Sequence, residues 1–125
     1  MTGKFLAIGL VLTFAAILYA QDKKTVTLNG YLLDNMCASM HVNDKDFAER
    51  VKKHPTSCAL MPNCAKSGFA LFSDGKLYKL DEAGNKSAEE VLKNTKKKNS
   101  VEVAVEGTLE GDTLHVTKLA EKTGE

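Results

Sequence analysis

The sequence predicts a small, mainly β domain with helical segments in two of its connections. Val101, Val103 and Val105 alternate with polar or small residues, as expected of a strand with one buried face. Asp74-Gly75 separates two short apolar segments and favours the type I′ turn of a β-hairpin. Helical signals occur only in the connections between these strand-like segments.

The first twenty residues differ in composition from the rest of the chain. Lys4 precedes a mainly apolar run at residues 5–20, and the chain turns polar at Gln21. Such a run is short for a membrane span and typical of a secretory signal, although an uncleaved anchor is the alternative. We therefore predict a signal peptide at 1–20, a single mature domain at 21–125, and a periplasmic or secreted protein without stable membrane association.

Five strands are predicted along the mature chain. The first covers 25–34, with a bend or bulge at Gly30 where the alternation changes parity. Residues 69–73 and 76–80 form the hairpin, and 101–107 and 114–116 form a second hairpin around a turn at 110–112. Ser87 and Glu90 match a capping box, which predicts a short helix beginning at Ser87.

This order of elements is that of a five-stranded barrel of the oligonucleotide/oligosaccharide-binding (OB) type. The helix falls between strands three and four, and barrel closure protects edge backbone groups that an open sheet would expose. A small open α+β sheet is the alternative. Between strands one and two the sequence predicts a helical insert at about 35–67.

The insert holds most of the soft donor groups of the chain. They are Met36, Cys37, Met40, His41, His54, Cys58, Met61 and Cys64. The spacings C-x3-H and H-x3-C each place two donors about one helical turn apart. We expect the methionines to fill gaps in the core.

Proline and apolar residues predict the helices of the insert. Asp46 is expected to cap a helix whose buried face carries Phe47 and Val51. Pro55 allows a second helix to begin, and Pro62 is expected to end it, so that Cys64 folds back toward Cys58.

The donor set allows three interpretations. Cys37, Cys58, His41 and His54 suit tetrahedral zinc, with Cys64 able to replace either histidine. Thioether sulfur from the methionines would favour copper as Cu(I). Because thiols pair in oxidising compartments, a disulfide of Cys58 with Cys64, or of Cys37 with either, is the third interpretation.

Charge and motifs argue against other functions. Lys4 accounts for one of the 17 basic residues, so the mature chain carries 16 basic against 16 acidic residues. A neutral chain lacks the basic surface on which nucleic-acid binding depends. The chain has no C-x-x-C redox motif, no haem-attachment motif and no glycine-rich phosphate loop. We therefore expect a non-catalytic protein whose partner is a metal ion, copper or zinc.

A longer pattern resembles small exported bacterial proteins of uncharacterised function. It comprises Gly30-x3-Asp34-x2-Cys37, then His54-x3-Cys58-x5-Cys64, then Asp74-Gly75-Lys76-x-Tyr78. The resemblance covers most of the mature chain, from about Thr25 to the last strand. It implies that Asp34, Cys37, His54, Cys58 and Cys64 belong to one site, and it implies no particular activity.

Overall fold

The computed structural model describes residues 23–123, so the predicted signal peptide lies outside the described residues. The strands are β1 (Lys24–Asp34), β2 (Phe69–Ser73), β3 (Lys76–Leu80), β4 (Glu102–Glu110) and β5 (Thr113–Glu121). The helices are α1 (Asn35–His41), α2 (Phe47–Lys52), α3 (Thr56–Ala59), α4 (Pro62–Lys66) and α5 (Glu82–Asn94). Within residues 23–123, no helix has both the length and the apolar character that crossing a membrane requires.

The five strands close into a barrel in the order β1-β2-β3-β5-β4. Neighbouring strands are antiparallel, except β3 and β5, which are parallel. The strand order, the insert after β1 and the helix between β3 and β4 confirm the predicted OB-like barrel. In a closed barrel every strand has two neighbours, so backbone groups at the sheet edges find partners.

Strand β1 changes its partner near Gly30. Its first part pairs with β4 as far as Tyr31, and from Tyr31 to Asp34 it pairs with β2. A Cβ atom placed on Gly30 would lie 2.2 Å from the backbone oxygen of Phe72. The glycine predicted to bend the strand is therefore the residue that lets two backbones approach closely at the change of partner.

The turn between β2 and β3 has the predicted geometry. Asp74 and Gly75 have φ values of 48° and 76°, both in the left-handed region that a type I′ turn requires. Aspartate tolerates this conformation better than most residues and glycine adopts it without steric cost. The Asp74-Gly75 prediction is confirmed.

Helix α5 is longer than predicted and begins earlier. Its N-cap is Asp81, whose side chain accepts a hydrogen bond from the Gly84 N–H, so the predicted start at Ser87 is wrong. Gly84 resembles a helix breaker in the sequence, but in the structure it lies against β5. A Cβ at this position would come within 2.6 Å of Val116 Cγ2. Close packing against the barrel therefore explains a glycine inside the helix.

Two apolar clusters share β2, which is buried along its whole length. One fills the barrel and includes Phe69 and Leu71, together with the three predicted core valines Val101, Val103 and Val105. The other lies between the barrel and the insert and consists of Leu33, Ala38, Phe47, Val51, Ala70 and Phe72. The rings of Phe47 and Phe72 meet edge to face with centroids 5.4 Å apart. The insert is thus packed onto the outer face of β1 and β2.

Each of the two prolines of the insert lies at the start of a helix. Pro55 is the N-cap of α3, as the sequence suggested. Pro62, predicted to end that helix, instead occupies the first turn of α4, which carries Cys64. Proline fits this position because its fixed φ suits a helix and no amide hydrogen is needed there. The predicted break between Cys58 and Cys64 is therefore present, but Pro62 also begins a helix that the sequence did not predict.

Candidate metal centre

Asp34 stands at the junction of the barrel and the insert. It is the last residue of β1 and the N-cap of α1, and it is completely buried. One carboxylate oxygen accepts a hydrogen bond from the Cys37 N–H at 2.8 Å, and the other lies 3.0 Å from Nε2 of His54. A single side chain therefore positions both Cys37 and His54.

The hydrogen bonds to Asp34 determine its charge. Burial by itself raises the pKa of Asp34, but the hydrogen bonds from His54 and from the Cys37 N–H lower it, and the resulting pKa lies below the ordinary 3.8. The carboxyl group is therefore ionised at neutral pH and can only accept hydrogen bonds. Because an ionised carboxylate can only accept, the contact with His54 is a hydrogen bond donated by Nε2.

Two groups of donor atoms meet at Cys37. In the first, ligand atoms of Cys37, His54 and Cys58 all lie within 4.8 Å of one another. In the second, the same limit holds for Asp34, Cys37 and Cys64. The structure therefore brings together all three cysteines of the chain and one of the two histidines of the insert.

The environment of the thiols opposes their ionisation. Burial, followed by the neighbouring Asp34 carboxylate, raises the pKa of Cys37 from 9.0 to about 12. The same causes, in the same order, raise the pKa of the Cys64 thiol. A thiolate beside a buried carboxylate requires a compensating positive charge, and a bound metal ion would provide one.

Contacts between helices fix the cysteines. Ser67, just after α4, accepts a hydrogen bond from the Met36 N–H at 3.1 Å and donates one to the Cys64 carbonyl at 2.6 Å. Asn35 donates to the carbonyl of Ser67 at 2.9 Å. These bonds join the start of α1 to the end of α4, so Cys37 and Cys64 are held near each other.

The helix that carries Cys58 is attached to a different part of the chain. The Thr56 N–H donates to the Lys98 carbonyl at 2.8 Å, and the Thr56 hydroxyl donates to the Lys97 carbonyl at 3.0 Å. The lysine run before β4 therefore contributes backbone acceptors to the insert, while its side chains remain exposed.

A cleft of about 380 Å³ opens onto the first donor group. Cys37, His54 and Cys58 all line it, and α2 contributes Glu49 and Arg50 to its wall. Asp34 and Cys64 lie deeper, since both are buried. The first donor group therefore faces solvent on one side and the barrel on the other.

His41 lies outside both donor groups. It lines the same cleft, and its Nδ1 lies 2.8 Å from a carboxylate oxygen of Asp44. The C-x3-H spacing does place Cys37 and His41 on one helix, as predicted. The first donor group contains His54 in place of His41.

The methionines are not core residues. Met36, Met40 and Met61 are 39%, 67% and 54% exposed, so the expectation that they fill gaps in the core is wrong. Short helices expose most of their surface, and buried positions in the insert are taken by Ala38 and Phe47 instead.

All three cysteines, which lie within the described residues, are free thiols. The structure therefore gives no support to the predicted disulfide staple. Asp34 was implicated only by the resemblance, because its partner His54 is 20 residues away in the chain. One local signal does point to Asp34. A polar residue at the end of an apolar strand is a typical helix N-cap, and Cys37 follows Asp34 by three residues.

No protein-family model, no curated protein and no solved structure gives a significant match to this chain.

Proposed function

We propose that this protein is an exported, non-catalytic domain that binds a transition metal ion, zinc or copper, at the junction of barrel and insert. The observation that carries the proposal is the group formed by Cys37, His54 and Cys58, whose ligand atoms lie within 4.8 Å of one another. Two sulfurs and an imidazole nitrogen at this spacing can bind one ion without rearrangement of the backbone.

Cys64 supplies a fourth ligand in this proposal. It shares the second donor group with Cys37 and is buried beneath the first. Three thiolates and one imidazole are a common tetrahedral ligand set for Zn²⁺, and Cu(I) also selects soft sulfur ligands. Asp34 acts on the ion through His54, since a carboxylate that holds one ring nitrogen orients the other toward the metal.

Export and the absence of catalysis rest on the sequence. The apolar run at 5–20 followed by a polar stretch supports secretion, and the neutral mature chain argues against nucleic acid as a partner. The missing redox, haem and phosphate-loop motifs support a binding role. A purified mature chain whose N-terminus lies near Gln21 would support the export part of the proposal.

The central experiment measures metal content and affinity on the fully reduced mature chain. We expect one Zn²⁺ or Cu(I) per chain, and we expect Cys58→Ser to weaken binding by at least about 10-fold, because a lost thiolate removes a ligand of the ion. Ser57→Ala is the matched control, because Ser57 is exposed on the same helix and belongs to neither donor group. Stoichiometry is read by elemental analysis and affinity by competition with a chelator.

A reduced wild-type chain that binds neither ion would contradict the proposal. If the chain recovered from the exported compartment also shows the mass loss of a disulfide, the alternative of a disulfide-stapled binding module without metal takes its place. Equal metal content in Cys58→Ser and wild type would show that the ion is bound elsewhere.

A further inference from the structure

The accessibility of the donor groups differs between their two sides. Asp34 is 0% exposed and Cys64 is 8% exposed, whereas Cys37 and Cys58 are half-buried. The side chain of His54 retains 12% exposure. An ion at Cys37, His54 and Cys58 would therefore be covered by the barrel from below and reached by solvent from the cleft.

The cleft is large enough to hold a small molecule. At about 380 Å³ it is within the size range of small-molecule sites, and its lining includes all three residues of the first donor group. Four protein ligands complete a tetrahedral site, so an incoming ligand must displace one of them, and the cleft exposes Cys37 and Cys58 to such a ligand. The cleft thus resembles the open side of a site where an external ligand reaches the metal.

The walls of the cleft carry both signs of charge. Arg50 lies 3.1 Å from the Asp46 carboxylate, and His41 contacts Asp44 at 2.8 Å. Glu49 and Lys53 also line the cleft and have opposite charges. Because the wall has no single-sign field, its charge selects neither anions nor cations. Recognition of an incoming ligand then depends on its affinity for the soft metal ion.

We propose that the cleft is the path along which a small thiol carrier exchanges the metal ion with this protein by direct ligand replacement. The inference rests on the proposed function and specifies its purpose as metal transfer. An incoming thiolate bonds to the ion as the bond to a protein cysteine breaks. The proton lost by the incoming thiol is taken up by the departing cysteine, and the oxidation state of the ion does not change.

Direct replacement has a kinetic signature. The rate of metal transfer must rise with the concentration of the acceptor, because the acceptor takes part in the step that breaks the bond to the protein. Release from a closed site would instead occur at a rate set by spontaneous dissociation, whatever the acceptor concentration. The two mechanisms are therefore separated by one concentration series.

The experiment mixes the Zn²⁺-loaded mature chain with increasing concentrations of dithiothreitol and follows the metal-bound fraction by native mass spectrometry. We expect the transfer rate of the wild-type chain to rise in proportion to dithiol concentration. We expect Glu49→Trp, which places a large ring in the cleft wall, to slow transfer by at least about 10-fold while zinc affinity stays within about 3-fold. Glu90→Trp is the matched control on an exposed face of α5 and should leave the rate unchanged.

Three outcomes would contradict the proposals, and each contradicts a different part of them. A chain that binds Zn²⁺ but releases it at a rate independent of dithiol concentration overturns the exchange path and leaves the proposed metal site standing. Equal transfer rates in Glu49→Trp and Glu90→Trp overturn the assignment of the path to this cleft. A reduced chain that binds no Zn²⁺ and no Cu(I) overturns the proposed function and this inference together. The wild-type concentration series decides the mechanism even if Glu49→Trp fails to fold.

Discussion

Asp34 joins a strand, a helix and a candidate metal ligand through one carboxylate. A buried, unpaired carboxylate would cost several kcal/mol relative to water, so its position at the end of β1 is stable only because hydrogen bonds replace its hydration. The Cys37 N–H and His54 provide these bonds at 2.8 and 3.0 Å. The lowered pKa of Asp34 shows that they outweigh the effect of burial. The residue that orders the site therefore also stabilises the fold.

The pH dependence of stability follows from this lowered pKa. Because the folded-state pKa of Asp34 lies below 3.8, the ionised carboxylate stabilises the folded chain above that pH and loses its contribution as pH falls through the folded value. We expect the wild-type free energy of unfolding to fall more steeply than that of Asp34→Asn at pH values below 3.8. Asparagine keeps the size of the side chain and an oxygen for the Cys37 N–H but has no charge to lose.

Urea unfolding of both metal-free proteins at neutral pH and at several acidic pH values measures this difference. The Asn variant serves as the control for all other carboxyl groups, which are common to both chains. Parallel acid dependences in the two proteins would show that the Asp34 carboxylate does not stabilise the fold through its charge.

At the scale of elements, the insert consists of helices too short to be stable alone. The helices have four to seven residues, and isolated helices of this length do not form in water. They are stabilised by hydrogen bonds near their ends and by apolar contacts with the barrel. Sequence reasoning identified the apolar face of α2 from Phe47 and Val51. It missed that Pro62 begins α4, because a proline can stand either after the end of one helix or in the first turn of the next. It also missed the start of α5, because Asp81 and Ser87 are both residue types that cap helices.

Gly30 controls the geometry of β1, and with it the position of Asp34. A methyl group at Gly30 would overlap the backbone oxygen of Phe72, and a backbone atom cannot move aside as a flexible side chain can. We expect Gly30→Ala to lower the free energy of unfolding by about 1–3 kcal/mol, as overpacking does elsewhere. Chemical denaturation of the metal-free chain measures the change.

Thr27→Ala is the control for this prediction. Thr27 lies on the same strand but is exposed, so its truncation should change stability by less than about 0.5 kcal/mol. If Gly30→Ala were as stable as Thr27→Ala, the close approach of β1 and β2 would not constrain the strand.

At the scale of the whole molecule, the barrel was predictable and the site only in part. Alternation in β4 and the Asp74-Gly75 turn are local signals, and the order of elements then restricts the topology. The convergence of Cys37, Cys58 and Cys64 depends on how short helices pack, which no spacing encodes. The choice of His54 over His41 follows from a contact between residues 20 positions apart. Sequence alone therefore left both histidines as candidates.

The barrel and the insert share strand β2, so we expect them to unfold as one cooperative unit. Phe69 and Leu71 contribute to the barrel cluster, and Ala70 and Phe72 contribute to the cluster under the insert. Loss of either cluster therefore exposes β2 on one face. Metal bound to the insert should consequently stabilise the barrel as well, because binding to the folded state adds to the free energy of unfolding of the whole unit.

Thermal unfolding with and without Zn²⁺ tests this coupling. At a free Zn²⁺ concentration about 100-fold above Kd, the free energy of unfolding should rise by about 2.7 kcal/mol, which corresponds to roughly 10 °C or more in Tm for a domain of this size. Hydrogen exchange followed by mass spectrometry reports on the barrel and the insert separately. It should show Zn²⁺ slowing exchange in β4 as well as in α1. At the same free Zn²⁺ concentration, Cys58→Ser should show about half of the Tm increase or less, and less slowing of exchange, because its affinity is at least about 10-fold weaker. Protection confined to the insert would show that the barrel and the insert unfold independently.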